Sequence, residues 1–242
     1  MTVALLLACS GSPPPYRQML DVPQAQEQLA GGGAQHCAPA AAVDALAWLA
    51  EHGHPQLGPI DPSTASGRVG ELGERMRVDP KSGTSPRRVL QGLQGWLDER
   101  GEGAKVSYTG WRPHDDAYAA GRLVTADVLA RGLRADAAAL LNLGWYQEGP
   151  ELLRVGGHWV ALAGQEGDEA WVVDPSTRSG PGSVTHRCEL VTLPEARLSG
   201  DYTGLPVWSG DTLGLAGLVL PEGVDRAVID GVVVIQMAGS TP

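Results

Sequence analysis

The sequence predicts an α+β fold in which N-terminal helices, one of them carrying a candidate nucleophile, pack on a C-terminal antiparallel sheet. Two segments of helical periodicity, 39–52 and 86–100, lie in the first half of the chain. Beyond residue 132 the apolar runs are too short for helices and are bounded by glycines and charged residues. Helices first and strands afterwards argue against the alternating βαβ order of a parallel sheet. At 242 residues, 43% hydrophobic and 19% charged, the chain can bury the core of one domain, which excludes collagen-like, coiled-coil and wholly disordered architectures.

The elements follow in order. Residues 1–8 read as the remnant of an export signal and 9–19 as a tether, because Leu6-Leu7-Ala8-Cys9 has the form of a bacterial lipobox and Ser10-Gly11-Ser12-Pro13-Pro14-Pro15 follows it. Cys9 is then the lipidation site and the chain belongs to the cell envelope; without such a signal it is cytoplasmic. The apolar run from Val3 to Ala8 falls far below the roughly 20 residues of a transmembrane helix, so a membrane is contacted only through the lipid. Residues 20–242 read as one domain, with 179–242 as an added β region.

Leu20-Asp21-Val22-Pro23 reads as an extended entry and Gly31-Gly32-Gly33 as a loop. Val43, Leu46, Ala47 and Ala50 then recur at helical spacing behind Pro39, with Gly53 as a stop, so that a helix opens at Cys37. Val69, Leu72 and Met76 mark one short helix within an otherwise irregular stretch, 54–83. Thr84 or Ser85 caps the next helix, Pro86 opens it, and Val89, Leu90, Leu93, Trp96 and Leu97 form its apolar face. A third helix is expected from Thr125 to Arg131, and strands at 138–145, 158–163, 170–173, 214–220 and 232–237.

A formal net charge of −10 and the lack of a basic stripe exclude nucleic acid as a partner. The Gly31–Gly33 loop lacks the Lys-Ser/Thr ending of a phosphate-binding loop. His52-Gly53-His54 has no acid or cysteine at ligand spacing, so neither metal nor cofactor is expected. Cys9, Cys37 and Cys188 show no CxxC spacing, and Cys188 reads as a buried free thiol.

Three strings carry chemistry. In Gln35-His36-Cys37-Ala38-Pro39 a cysteine sits at a helix N-terminus, where unpaired N–H groups and the helix dipole favour thiolate. In Gly156-Gly157-His158-Trp159 a histidine opens an apolar strand behind two glycines that permit close backbone approach. In Trp171-Val172-Val173-Asp174-Pro175 an acid ends the next strand, and a short antiparallel connection brings Asp174 towards the His158 ring. A carboxylate there orients the imidazole and stabilises the imidazolium of a Cys/His pair.

Taken together the strings resemble the papain-like cysteine peptidase superfamily, in particular its bacterial C39-like branch. The order Cys37, His158, Asp174, the Val22-Pro23 entry and Gly83-Thr84-Ser85-Pro86 all match that pattern over roughly residues 20–178. The resemblance implies a papain-like fold, Cys37 as nucleophile, His158 as base and Asp174 as orienting acid. Two positions depart from it. Ala38 stands where the family has Gly, and the oxyanion glutamine that the family places before the cysteine is one of Gln24, Gln26, Gln28 and Gln35. Gln28 is the first choice and Gln26 the second, because Gln35 is too close to fold back over the pocket.

The function expected is hydrolysis of a peptide or amide bond in a peptide or protein substrate. The same residues serve acyl transfer if an amine replaces water. A catalytically silent peptide-binding envelope lipoprotein of the same fold, or a purely structural one, is the alternative.

Overall fold

The computed structural model describes residues 16–101, 103–111, 123–179, 185–193, 196–200, 207–208 and 212–238. Helix α1 (Cys37–Glu51) is buried at every position from Cys37 to Leu49. Ala38, Ala40, Ala41, Ala42, Ala45 and Ala47 keep its surface smooth, so that neighbours approach on all sides. It packs against strands β2 (Ala137–Gln147) and β3 (Leu152–Glu166) on one side and against α2 (Ala65–Arg75) and α3 (Pro86–Asp98) on the other. Helix α3 begins as its sequence predicts: Pro86 takes the first position and the Ser85 hydroxyl accepts a hydrogen bond from the Arg88 N–H.

The remaining elements are β1 (Lys105–Gly110), α4 (Ala126–Arg131), β4 (Glu169–Val173), β5 (Thr185–Thr192), β6 (Arg197–Gly200), β7 (Val207–Trp208), β8 (Leu213–Ala216) and β9 (Arg226–Gln236). Strands β2, β3, β4, β5, β8 and β9 pair in that order, every pair antiparallel, and β9 pairs back onto β2. The antiparallel sheet that the sequence predicts is therefore present, and its six strands close into a barrel, a closure the sequence did not specify. β1 extends the sheet beyond β9, while β6 pairs in parallel with the start of β3 and β7 pairs with β6.

Alternation along the strands sorts two cores. Ala139, Leu141, Leu143, Val160, Leu162, Val172 and Ile229 fill the barrel, whereas Ala138, Leu140, Trp159, Ala161, Trp171, Val173, Val233 and Ile235 face the helices. Both faces of β2 and of the 159–163 part of β3 are thus apolar, which is why these stretches read as unbroken hydrophobic runs. Residues 179–242 contribute three barrel strands, β5, β8 and β9, and β9 lies between β1 and β2.

Residues 1–15, including Cys9 and most of the expected tether, lie outside the described residues. The end of that tether is packed on the domain. Tyr16 stacks on Trp171, and the Arg17 guanidinium lies 3.6 Å from the Trp48 ring centroid and donates to the carbonyls of Gly132, Arg134 and Ala137. Burial lowers the Arg17 pKa to about 10. From there the chain runs back along α1, and the Val22 N–H donates to Asp44 Oδ1 at 3.0 Å.

Asp44 is fully buried, and its second carboxylate oxygen has no hydrogen-bond partner. Desolvation raises its pKa well above 3.8, opposed by the Val22 N–H and reinforced by Asp21. The native state thus holds a proton that the unfolded chain releases above pH 3.8, and stability falls as pH rises from that value. Asp44→Asn keeps an acceptor for Val22 and removes the charge. The variant is expected to melt higher than wild type at neutral pH and to converge with it below about pH 4. Thermal melts of both across pH check this, and parallel curves would refute it.

Candidate active site

Cys37 is the first residue of α1. His36 at the cap makes no side-chain cap bond, and the first turn carries no acid, so the helix N-terminus is left to act on the thiol. His158 lies on β3, where it pairs with Leu143 of β2. Its Nε2 is 2.6 Å from Asp174 Oδ1, and Cys37 is near enough to favour protonation of the ring. With Nε2 committed to Asp174, Nδ1 is the ring nitrogen left for the thiol. The antiparallel register explains the meeting: Val173 pairs with Ala161, so the end of β4 runs back past the start of the apolar part of β3.

Asp174 Oδ1 also accepts a hydrogen bond from the Ser176 N–H at 2.9 Å. Trp145 of β2 stacks on the His158 ring with centroids 5.5 Å apart and planes 21° from parallel, and the Arg178 guanidinium lies 5.8 Å from the Trp145 ring centroid. Cys37, His158 and Asp174 are 8%, 4% and 3% exposed, so water reaches their contacts poorly. Trp159, next to His158, donates its indole N–H to the Thr84 carbonyl at 3.1 Å. This bond ties the histidine strand to the Gly83–Pro86 segment ahead of α3.

Burial of the ring opposes protonation of His158, but the hydrogen bond to Asp174 and the nearby Cys37, with the charges of both, outweigh it and raise the pKa to about 9. An imidazolium at neutral pH suits a partner thiolate. Cys188 is different in kind: it is buried among barrel residues, and desolvation followed by the charge of Asp174 pushes its thiol up to about 12.

The glutamines are distributed unevenly around this centre. Gln28 Nε2 donates to Gln26 Oε1 at 2.9 Å and to the Ser66 hydroxyl, and Gln26 Nε2 donates to the Pro23 carbonyl at 2.6 Å. Both amides therefore belong to a surface cluster against the first turn of α2. Gln24 is placed otherwise. Its backbone N–H donates to the Pro175 carbonyl at 2.9 Å, next to Asp174, and its Nε2 donates to Ala34 O at 2.7 Å, three residues before Cys37. Its Oε1 is buried without a hydrogen-bond partner. Gly33 makes this crossing possible, with φ of +74° and a position where a Cβ would stand 2.0 Å from the Gln24 carbonyl.

His52 Nδ1 pairs with the Trp48 carbonyl at 2.7 Å, and among the described residues no three His, Cys, Asp or Glu side chains are grouped to hold a metal ion. Trp145 closes the strand expected at 138–145, and its place over His158 depends on the β2–β3 register. Comparison of the chain with protein-family models finds no match, and comparison with curated proteins finds none either.

A histidine held at about 9 when folded, against 6.5 otherwise, stabilises the fold below pH 6.5 and loses that contribution as pH rises through 9. Asp174→Asn removes the leading source of the shift. Wild type is expected to lose more melting temperature than the variant between pH 6.5 and 9. Identical pH dependence in thermal melts would show that Asp174 does not hold the proton on His158.

Proposed function

We propose that the chain is a cysteine-dependent hydrolase of peptide or amide bonds, with a papain-like arrangement of nucleophile and base. The observation that carries this reading is the buried line from Cys37 through His158 to Asp174, which joins a helix N-terminus to a strand residue and a strand end that lie far from it in sequence. A nucleophile, a base within hydrogen-bond reach and a third group orienting the base are what covalent acyl chemistry requires.

The Cys37 sulfur attacks the substrate carbonyl carbon and its oxygen takes the negative charge. The proton on His158 passes to the leaving nitrogen, the C–N bond breaks, and a thioester remains on Cys37. Water then attacks the thioester carbon and gives one proton to His158, and the C–S bond breaks to release the carboxylic acid and restore the thiolate. Asp174 keeps the ring turned towards the sulfur throughout, and Trp145 shields the bond between them. The Cys37 N–H at the start of α1 is the backbone donor to the oxyanion, and Gln24, tied to both the Asp174 end of β4 and the turn before Cys37, is the side-chain donor best placed beside it.

If an amine takes the place of water the same steps give acyl transfer. Lipidation at Cys9 would hold the enzyme at the envelope, where exported peptides are the substrates within reach. Intact mass of the protein from a host with the lipoprotein pathway checks that part: a mature chain starting at diacylated Cys9 is expected, and an unmodified chain beginning at Met1 refutes it.

The catalytic reading is tested by the rate of iodoacetamide labelling at each cysteine, read by mass spectrometry across pH. Cys37 is expected to label in mildly acidic solution, where an ordinary thiol with a pKa of about 8.5 does not, and His158→Ala is expected to abolish that acid-side reactivity. On a peptide substrate Gln24→Ala should lower kcat by about 10² to 10³, and Gln28→Ala should do little. Slow labelling of Cys37 in both wild type and His158→Ala would leave a silent binding module instead.

A further inference from the structure

One β-bulge lies in the histidine strand and a second in β9, with β2 between them. The β2–β3 register passes from Trp145↔Gly156 to Tyr146↔Arg154, which makes Val155 the extra residue of β3, and the β2–β9 register passes from Asn142↔Gly231 to Leu143↔Ile229, which makes Asp230 the extra residue of β9. Across the strand between them, Arg154 Nε donates to Asp230 Oδ2 at 2.8 Å and the Tyr146 hydroxyl donates to Asp230 Oδ1 at 2.9 Å. The Arg154 and Asp230 side chains are 3% and 0% exposed, and Tyr146 is fully buried.

The ion pair needs two glycines to exist. Gly144 and Gly157 face each other across β2 and β3. A Cβ at Gly144 would stand 2.6 Å from both carboxylate oxygens of Asp230, and one at Gly157 would stand 2.3 Å from Arg154 Nη2. The carboxylate thus lies over Gly144 and the guanidinium rests on Gly157, the residue before His158. Burying such a pair carries a desolvation cost that apolar residues of equal volume would avoid, so stability alone does not account for it. A planar guanidinium held from one side by a carboxylate is a rigid support for the backbone it touches.

We propose that Arg154, Asp230 and Tyr146 are positioning residues for the base: by seating the guanidinium on Gly157 they fix the Gly156–His158 backbone and so aim the His158 ring at Cys37. This rests on the hydrolase reading of the site. All three side chains are buried, and none is among the residues in line from Cys37 to Asp174. Their effect passes through the histidine strand, so their loss changes the pH dependence of the thiol and not only the melting temperature.

The experiment is site-resolved iodoacetamide labelling of the full chain from about pH 5 to 9 in wild type, Asp230→Asn, Tyr146→Phe and Arg154→Lys. Cys188, inside the barrel, reports folding in the same sample. Asp230→Asn is expected to slow Cys37 labelling at about pH 6 by tenfold or more and to move its profile towards that of a free thiol, with Cys188 still protected. Tyr146→Phe should shift it less in the same direction, and Arg154→Lys, which keeps the charge but not the planar fork, should fall between wild type and Asp230→Asn. Profiles that coincide with wild type while Cys188 stays protected overturn the proposal. If Asp230→Asn exposes Cys188, Tyr146→Phe decides by the same criterion. Wild-type Cys37 without acid-side reactivity would instead overturn the hydrolase reading itself, so the two failures are distinct.

Discussion

Everything in this molecule is arranged around a helix that has no solvent face. α1 is covered by β2 and β3 on one side and by α2 and α3 on the other, and its run of alanines sets how near those layers lie. Small side chains bring the backbones together, and the interior is packed too tightly to let the helix slide. The first residue of that helix is Cys37. Its position relative to the barrel is therefore set by the core as a whole and not by a surface loop. In the proposed role of nucleophile, a thiol so placed loses little precision to local motion.

Buried polar groups in this fold tie separate elements together. Asp44 holds the N-terminal strap through the Val22 N–H, the Trp159 indole holds the segment before α3, and His158 bridges α1 and the end of β4. Arg154 and Asp230 do the same between β3 and β9, across β2. In each case a polar group that would be costly to bury alone takes at least one partner from another element. Such bonds select one relative placement of layers whose apolar faces alone would tolerate several.

The helices were readable from residues 37 to 101 because their caps and stops are local. Pro86, the Ser85 cap and the 3.6-residue spacing of Val89, Leu93 and Trp96 act within a few residues of one another. The strands were harder. The expected start of β3 at 158 misses the half that begins at Leu152, because the Gly156-Gly157 pair and the exposed Leu153 and Val155 interrupt the apolar pattern. β1 and β5 were not singled out, since alternation over six and eight residues with exposed Lys105, Arg187 and Glu189 is a weak local signal. What completes each of them is a neighbour supplied from elsewhere in the chain.

The sequence by itself determined the residue types and their order: a cysteine that opens a helix, a histidine that follows two glycines on a strand, and an acid before a proline. Helix capping, strand alternation and turn chemistry are short-range, so these local settings survive whatever the rest of the fold does. Tertiary structure decided which groups meet. It closed six strands into a barrel, laid Trp145 over His158, brought Gln24 beside Pro175 and took Gln26 and Gln28 to a surface cluster with Ser66. It also set Arg154 against Asp230. Those pairings depend on strand register, where a shift of one residue turns every side chain to the other face, and register is chosen by the packing of both cores at once.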